Sequence, residues 1–382
     1  MSGGYLHSAL APAQNRRNKI IMKYTIKQLA AELNLSRNTV AKVLNGKSGV
    51  SPKTEKLVMD RIRALNNEEE AAQSSETETA PAQNMTVSSE PAQNRGNILF
   101  LTRTSFNHSD FWIVVMKGIE KVLKANHYGM VIGIMDNQDI EKLRFPSIIT
   151  HPDTCGIILV ELCDIRVCEA VLSYQLPTVT LDMPREYESF LGKMDIVTME
   201  NKKHICEIVS ALLHKGFTRF AFAGDLSSGN VSHGFQERYD AVCETLGQYN
   251  LSLLSDSCFL RETDQLFLNS VYLTEKLKKL REIPEVYICG NDWTALQLAS
   301  ALQLLGYRIP EDISIVGFDD INEAARAVPP LTTIHTNKEY LGIAAANCIL
   351  NRITNPDIPY QYCQYMTELM LRKSTVDLSD CL

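Results

Sequence analysis

Two different hydrophobic patterns divide the chain. Between residues 24 and 65, apolar residues recur at the three- and four-residue spacing of short amphipathic helices. From residue 97 onward, short apolar runs alternate with amphipathic helical segments. The sequence therefore predicts a small all-α module followed by an α/β body with parallel sheets.

The body shows this alternation over most of its length. Seven short apolar runs predict buried parallel strands: Ile98–Leu101, Met130–Ile134, Gly156–Val160, Thr178–Leu181, Phe220–Ala223, Val286–Cys289 and Ser314–Gly317. Six amphipathic segments predict the helices between them: Trp112–Lys124, Arg166–Tyr174, Lys202–His214, Arg238–Leu246, Tyr272–Leu280 and Thr294–Leu305. The segment is long enough for two such α/β subdomains with a cleft between them.

The pattern of the amino-terminal module predicts three short helices. The first places four apolar residues on one face: Ile26, Leu29, Ala30 and Leu33. Thr25 suits the N-cap of this helix and Ser36 the N-cap of the second, while Ser51 followed by Pro52 marks the start of the third. Two helices joined by a short turn form the helix-turn-helix pattern, whose second helix enters the DNA major groove.

The exposed face of the middle helix has the chemistry of a base-reading surface. Arg37 and Lys42 can donate to guanine O6 and N7, and Asn38 can bridge adenine N6 and N7. Residues 1–66 contain twelve Lys or Arg and only three Asp or Glu, in a chain whose net charge is −7. A basic head on an acidic body fits a DNA-binding module, although a small helical module with a solvated basic face is the alternative.

The head also resembles a known family. The stretch TIKQLAAELNLSRNTVAKVLNGKSGVSPKT is similar to the DNA-binding head of the lactose-repressor family of bacterial transcription regulators. In the body, IPEDISIVGFDD (Ile309–Asp320) and PPLTTI (Pro329–Ile334) resemble motifs of the same family. The resemblance implies a periplasmic-binding-protein-like body and a homodimer in which each head reads one half-site of double-stranded operator DNA. It implies DNA contacts by Thr25, Ser36, Arg37, Asn38, Thr39, Lys42, Asn45, Ser51 and Lys53.

In a body of this architecture, a small molecule binds between the lobes at the carboxyl ends of the strands. Asp182 follows one predicted strand and Asp292 another, Arg238 lies at a helix start, and Phe111 and Trp112 follow the first strand. Carboxylates accept from hydroxyls, arginine donates, and an aromatic ring covers an apolar face. The five residues therefore predict a site for a sugar or a related small polar metabolite.

Each of these residues also has a purely structural interpretation. Arg238 and Asp292 would serve equally as an interlobe salt bridge, and Phe111 and Trp112 as core packing for their helix. Asp319 and Asp320 are interpreted as a structural turn and cap rather than as a ligand-binding pair.

The predicted organisation has five parts. Residues 1–22 are a disordered lead, residues 23–66 the DNA-binding head, residues 67–96 a disordered linker, residues 97–375 the effector-binding and dimerisation domain, and residues 376–382 a tail. The linker contains six Glu and no basic residue before Arg95. It lacks the short hinge-helix motif that is usual in the family at this point.

Several classes of function are not favoured. No apolar run reaches the ~20 residues of a membrane span, and residues 1–22 lack a signal-peptide core, so we expect a cytoplasmic protein. The ten cysteines show no metal-ligand spacing, and we expect free thiols, no metal and no cofactor. Catalytic motifs are missing, which argues against an enzyme. The alternatives are a regulator that binds DNA without an effector and a sugar-binding receptor that is not exported.

Overall fold

The computed structural model describes residues 94–103, 110–182, 184–226, 232–260 and 269–382, together with nine separate positions between residues 32 and 58. The chain folds into two compact units, residues 1–88 and residues 89–382.

In the first unit, two serines cap helices. The Ser36 hydroxyl accepts a hydrogen bond from the Thr39 amide at 3.1 Å, and the Ser51 hydroxyl accepts one from the Thr54 amide at 3.1 Å. Val40 and Val58, one turn or more into these helices, are fully buried. The predicted caps at Ser36 and Ser51 are thus confirmed. The other predicted DNA contacts lie outside the described residues: Thr25, Arg37, Asn38, Lys42, Asn45 and Lys53.

The second unit contains two lobes, and the first lobe is built on a six-stranded parallel sheet. Its strands are β1 Asn97–Arg103, β2 Gly129–Met135, β3 Thr154–Val160, β4 Thr178–Thr180, β5 Asp195–Met199 and β10 Tyr362–Tyr365. They lie in the order β10-β5-β4-β3-β1-β2. Four helices cover this sheet: α1 Asp110–Ala125, α2 Asn137–Lys142, α3 Ile165–Leu172 and α9 Lys338–Thr354.

The second lobe contains a three-stranded parallel sheet and a two-stranded antiparallel sheet. The strands are β6 Phe220–Ala223, β7 Val286–Cys289, β8 Ser314–Val316, β9 Thr333–His335 and β11 Glu368–Met370. The parallel sheet has the order β6-β7-β8, and β11 pairs with β9. The helices are α4 Lys203–His214, α5 His233–Gln248, α6 Ser270–Leu277, α7 Asp292–Leu304 and α8 Asn322–Arg326. All seven predicted strands and all six predicted helices are present, with bounds shifted by a few residues.

Each lobe has its own apolar core, because strands that are covered on both faces bury nearly every side chain. In the first lobe, Ile157, Ile158, Leu159 and Val160 of β3 are all fully buried. In the same lobe α1 and α9 cross at backbone contact: a Cβ on Gly118 would clash with the Glu339 carbonyl, and a Cβ on Gly342 with the Val115 carbonyl. Glycine at both positions permits this close approach.

The chain passes between the lobes three times, and hydrogen bonds join the three crossovers. The first crossover leads from β5 to α4, the second from β9 to α9, and the third from β10 to β11. Thr336 donates to the Met199 sulfur at 3.3 Å, and the Glu200 amide donates to the Tyr365 carbonyl at 2.8 Å. His204 contacts the Thr367 carbonyl through Nε2 at 2.9 Å. The crossovers therefore form one bonded hinge region.

Two sequence features mark local boundaries. The helix after β2 ends at Lys142, and Pro146, which cannot continue a helix, precedes a short 3₁₀ turn. Asn337 caps α9, its side chain accepting from the Tyr340 amide at 3.1 Å. All ten cysteines are free thiols, and only Cys381 is exposed. Within the described ranges, no helix is both long and apolar enough to cross a membrane.

Candidate effector-binding cleft

A cavity of about 110 Å³ lies between the two lobes. It is formed by the carboxyl ends of β3, β4 and β5 on one side and by α5, α7 and the loop after β8 on the other. Its lining residues are Phe111, Trp112, Glu161, Asp182, Thr198, Met199, Asn201, Ser232, His233, Gly234, Phe235, Arg238, Asn291, Trp293 and Asp319. Four of the five predicted effector residues are among them.

The aromatic pair lies in the first turn of α1. Phe111 and Trp112 are 4% and 6% exposed, and their rings meet edge to face with centroids 4.8 Å apart. Both residues belong to the first-lobe core and both also line the cavity. The packing and binding interpretations therefore apply together, since one ring edge can fill the core while another part of the ring faces a ligand.

Arg238 projects from α5 and is fixed on several sides. Its Nε and Nη2 donate to the Asn201 Oδ1 at 3.0 and 2.8 Å, and its Nη1 donates to the Gly290 carbonyl at 2.5 Å. The guanidinium carbon lies 3.5 Å from the centroid of the Phe318 ring. Burial lowers the pKa of Arg238, while the carboxylates of Asp319 and Asp182 act in the opposite direction. The guanidinium is therefore held in one orientation before any ligand arrives.

Asp292 does not line the cavity, contrary to the sequence prediction. It is fully buried at the start of α7, where Oδ1 accepts from the Thr333 hydroxyl at 2.6 Å and Oδ2 from the Ile321 amide at 2.9 Å. The prediction failed because the carboxylate is directed into its own lobe, toward the loop after β8. The neighbouring Asn291 and Trp293 line the cavity instead.

The alternative interpretation of Arg238 and Asp292 as a salt bridge is also wrong. In the part of the chain that the structure describes, no ion pair joins the two side chains. Burial, followed by the nearby Asp319 carboxylate, raises the pKa of Asp292 to about 8. Asp292 acts on the cleft indirectly, because it holds the loop that carries Asp319.

Glu161 is the lining residue of greatest chemical interest that the sequence reasoning missed. It directly follows β3 and has a backbone φ of 55°. Burial raises the pKa of this carboxyl to about 7, although a hydrogen bond from Trp112 favours the ionised form. The rule that singled out Asp182 at the end of a strand applies equally to Glu161, which follows the predicted strand Gly156–Val160.

Asp319 and Asp320 have separate roles, although both have positive φ values of 107° and 52°. Asp320 pairs with Arg372 at 2.6 Å and with His335 at 2.9 Å, which is the structural role that the sequence favours. Asp319 lines the cavity, and burial raises its pKa to about 6 against the opposing charges of Arg238 and Lys338. Interpreting both residues as structural was therefore incomplete.

Contacts across the mouth hold the lobes together. The Ser232 hydroxyl at the start of α5 donates to the Asp182 carboxylate after β4. Arg185 donates to the Leu226 carbonyl at 3.4 Å, and the rings of Tyr187 and His233 lie 4.4 Å apart. Each pair joins the first lobe to the second, so the structure shows a closed cleft.

Comparisons with known proteins agree with this architecture. Residues 209–375 match the model of the periplasmic binding protein-like domain. The chain is 25% identical over 366 residues to the HTH-type transcriptional repressor PurR of Mannheimia succiniciproducens, covering 92% of this chain and 98% of that protein. It is 27% identical over 358 residues to the ribose operon repressor of Haemophilus influenzae, covering 93% and 99%. Over nearly its whole length the chain is therefore similar to transcriptional repressors.

Solved structures of transcription regulators share the fold. A complex of the transcriptional regulator CelR with cellobiose matches with a TM-score of 0.64 and 20% identity, over 92% of this chain and all of that one. The lac repressor dimer bound to operator and the anti-inducer ONPF matches with a TM-score of 0.62 and 19% identity, over 93% and 99%. Because the matches to both relatives and structures extend over nearly the full chain, they include at least part of the amino-terminal head as well as the body.

Proposed function

We propose that this protein is a ligand-responsive transcriptional repressor of the lactose-repressor family, acting in the cytoplasm. Its head binds operator DNA, and a small polar metabolite in the cleft changes that binding. One observation carries the proposal: a closed interlobe cavity lined by carboxylates, an arginine and aromatic rings is joined, in one chain, to a capped helical head. The chain matches the PurR repressor and the ribose operon repressor over nearly their full lengths, which supports the proposal.

Head chemistry supports DNA binding. Arg37, Asn38 and Lys42 occupy the base-reading positions implied by the family motif, and Thr25, Thr39, Ser51 and Lys53 the phosphate-contacting ones. The excess of basic residues in this segment favours a polyanion partner. We propose a homodimer in which the two heads read the two halves of a near-palindromic operator.

Cleft chemistry supports a small polar effector, and we propose a sugar-like one. A cavity of about 110 Å³ is small beside the ~300–1,000 Å³ of ordinary ligand sites. A sugar-sized molecule therefore requires the lobes to separate, which breaks the Ser232–Asp182 contact, and the lobes then close around the ligand. The equilibrium between open and closed bodies is the two-state element that a ligand can bias.

The route from ligand to hinge passes through Asn201. This residue lies in the first crossover, accepts both hydrogen bonds from Arg238, and donates to Glu237 at 2.8 Å and to the Met199 carbonyl at 3.0 Å. A ligand that moves the guanidinium of Arg238 thus moves the crossover itself. We propose that this linkage, together with the bonds between the three crossovers, transmits effector binding to the rest of the dimer.

Neither alternative function explains the whole chain. A regulator that binds no effector does not account for the polar cavity between the two lobes. A sugar-binding receptor without DNA binding leaves the helical head and its basic residues without a use. Known catalytic motifs are missing from the sequence, and the homologous proteins are transcription regulators. We therefore propose a regulator that is not an enzyme.

Binding-site selection with the purified full-length protein tests the function. We expect one near-palindromic operator to be enriched. Arg37→Ala and Asn38→Ala should each weaken binding to it by ~1–3 kcal/mol and relax base preference at one position per half-site. Lys53→Ala should weaken binding to all sequences alike. Unchanged site selection by the Arg37 and Asn38 variants would contradict our placement of the recognition helix, and the failure to enrich any site would contradict the function.

A further inference from the structure

We propose that the effector carries a protonated amino group, as an amino sugar does, and that Glu161 is its counter-ion. This inference rests on the proposed function and narrows the chemical class of the ligand. It is carried by the charges of the cavity wall, the hydrogen bonds of Glu161 and the aromatic rings around it.

The cavity wall contains more negative than positive groups. Glu161, Asp182 and Asp319 line it, and Arg238 is the one Lys or Arg among the described lining residues. Arg238 already donates to Asn201 and Gly290 and stacks on Phe318. Its charge acts on Asp319 and Asp182, but it is a single positive charge against three carboxyl groups.

Two further cations lie near the cavity without lining it. The positive charge of Lys338 lowers the pKa of Asp319. Its amino group, however, donates to the carbonyls of Asp320 at 3.1 Å and Thr336 at 3.2 Å. Arg103 at the end of β1 favours the ionised form of Glu161. The burial of Glu161 and its repulsion by Asp182 and Asp319 outweigh this help, because the pKa of Glu161 still lies at about 7.

Among the described residues, the Glu161 carboxylate is held from one side only. Trp112 donates to it, but Oε2 is buried and has no hydrogen-bond partner among the described residues. A buried carboxylate oxygen without a partner is unfavourable, and a donor that also brings positive charge satisfies it best. The indole Nε1 of Trp293, across the cavity, is likewise buried without a partner in the described part of the chain.

An ammonium group fits this environment better than a hydroxyl. Either group can donate to Oε2, but only the ammonium offsets the mutual repulsion of the three carboxylates. Trp112 and Trp293 line the same cavity, and an aromatic ring attracts a cation that approaches its face. The neighbouring Asp182 and Asp319 remain acceptors for hydroxyls, which points to a polyhydroxylated amine.

Matched ligand pairs test this class. Isothermal titration of the full-length protein at neutral pH should compare D-glucosamine with D-glucose, D-galactosamine with D-galactose and D-mannosamine with D-mannose. N-acetyl-D-glucosamine keeps the nitrogen but removes its charge. We expect at least one free amine to bind about 30-fold or more tightly than both its neutral partner and its acetylated form.

Glu161→Gln separates the charge from the shape of the site. It should reduce amine affinity about 30-fold or more and leave the affinity for neutral sugars within about threefold. Glu169→Gln, on the exposed face of α3 in the same lobe, is the matched control and should bind like the unaltered protein. Circular dichroism and operator affinity check that both variants are folded.

Three results would overturn the amine assignment: neutral sugars binding as tightly as their amines, Glu161→Gln keeping full amine affinity, or no amine binding at all. Operator binding is measured in the same preparations. If operator binding persists in any of these cases, the repressor proposal stands and only the ligand class is wrong. If no specific DNA binding is found, the proposed function itself fails.

Discussion

The two walls of the cleft hold their charged groups in different ways. On the second-lobe side, Arg238 donates to Asn201 and Gly290 at 2.5 to 3.0 Å. Asp292, which lies outside the cavity lining, accepts from Thr333 at 2.6 Å and from Ile321 at 2.9 Å. On the first-lobe side, Glu161 has one buried oxygen without a partner among the described residues. Fully bonded buried charges stabilise a particular arrangement, whereas an unsatisfied one favours a ligand. We infer that the fully bonded groups on the second-lobe side are chiefly a scaffold and that Glu161 on the first-lobe side selects the ligand.

The largest effect that tests this contrast is on stability. Arg238→Ala leaves the Asn201 Oδ1 and the Gly290 carbonyl without their donor and opens a void beside Phe318. We expect a loss of about 2–4 kcal/mol in the free energy of unfolding, measured by urea denaturation. Glu161→Gln should change the same quantity by less than about 1 kcal/mol.

Arg308→Ala is the control for removing an arginine. Arg308 pairs with Asp312 at 2.6 Å, but its side chain is 69% exposed. An exposed pair of this kind contributes about 1 kcal/mol at most. If Arg238→Ala were as mild as Arg308→Ala, the second-lobe wall would not be the scaffold that we infer.

The pH dependence of stability gives the next largest effect. Burial raises the pKa values of Asp292 to about 8, Glu161 to about 7 and Asp319 to about 6. In the unfolded chain these groups ionise near pH 4, so between about pH 4 and pH 8 the folded protein binds more protons. The free energy of unfolding should therefore be highest at the acidic end and fall as the pH rises toward 8.

Asp292→Asn should flatten this profile above pH 6, because an amide cannot ionise and Thr333 can reverse its hydrogen bond. Glu311→Gln, at an exposed position, should leave the profile unchanged. Urea denaturation at half-unit steps from pH 5.5 to 8.5 provides the measurement. A profile that rises with pH would show that the three carboxyls are not held in their neutral forms by burial.

Sequence patterns predicted the framework of this molecule well. Runs such as those of β1, β3 and β7 are apolar because both faces of a parallel sheet are covered, so the signal was strong. The missed strands lack that pattern: β10 alternates exposed and half-buried residues at the sheet edge. In β5, Asp195 starts the strand, and the sequence cannot show that Arg352 neutralises it at 2.9 Å.

The sequence predicted the position of the cleft, because its lining residues follow the ends of strands. It did not predict which way each side chain points. Asp182, Glu161 and Asp292 all follow strands, yet the first two face the cavity while Asp292 faces its own lobe. That difference depends on Thr333 and Ile321, which are distant in sequence. Likewise, Asp319 and Asp320 are adjacent, and only the fold assigns one to the cavity and the other to Arg372.

The smallest expected effect is on operator affinity when the spacing of the half-sites is changed. It depends on the linker to the head, which we expect to be flexible, whereas hydrogen bonds join the crossovers of the body. Residues 67–96 lie mostly outside the described residues, and their composition, with six Glu and few large apolar side chains, predicts disorder. Thirty such residues have a fully extended reach of about 100 Å, with a much shorter average. We expect that such a tether keeps two heads close without fixing their spacing.

Operators with two to four base pairs inserted between the half-sites test this prediction. A flexible tether predicts a change in affinity of less than tenfold, which is less than ~1.4 kcal/mol, and little DNA bending, since the linker offers no apolar wedge to unstack a base step.

The competing hypothesis is that residues 66–73 become helical on DNA and fix the spacing. In that case insertion should cost a hundredfold or more, and Ala71→Pro, which breaks a helix but not a disordered chain, should abolish the spacing preference. Equal tolerance of insertions by the Ala71→Pro variant and the unaltered protein would support the tether, because a linker without helical structure has no helix for proline to disrupt.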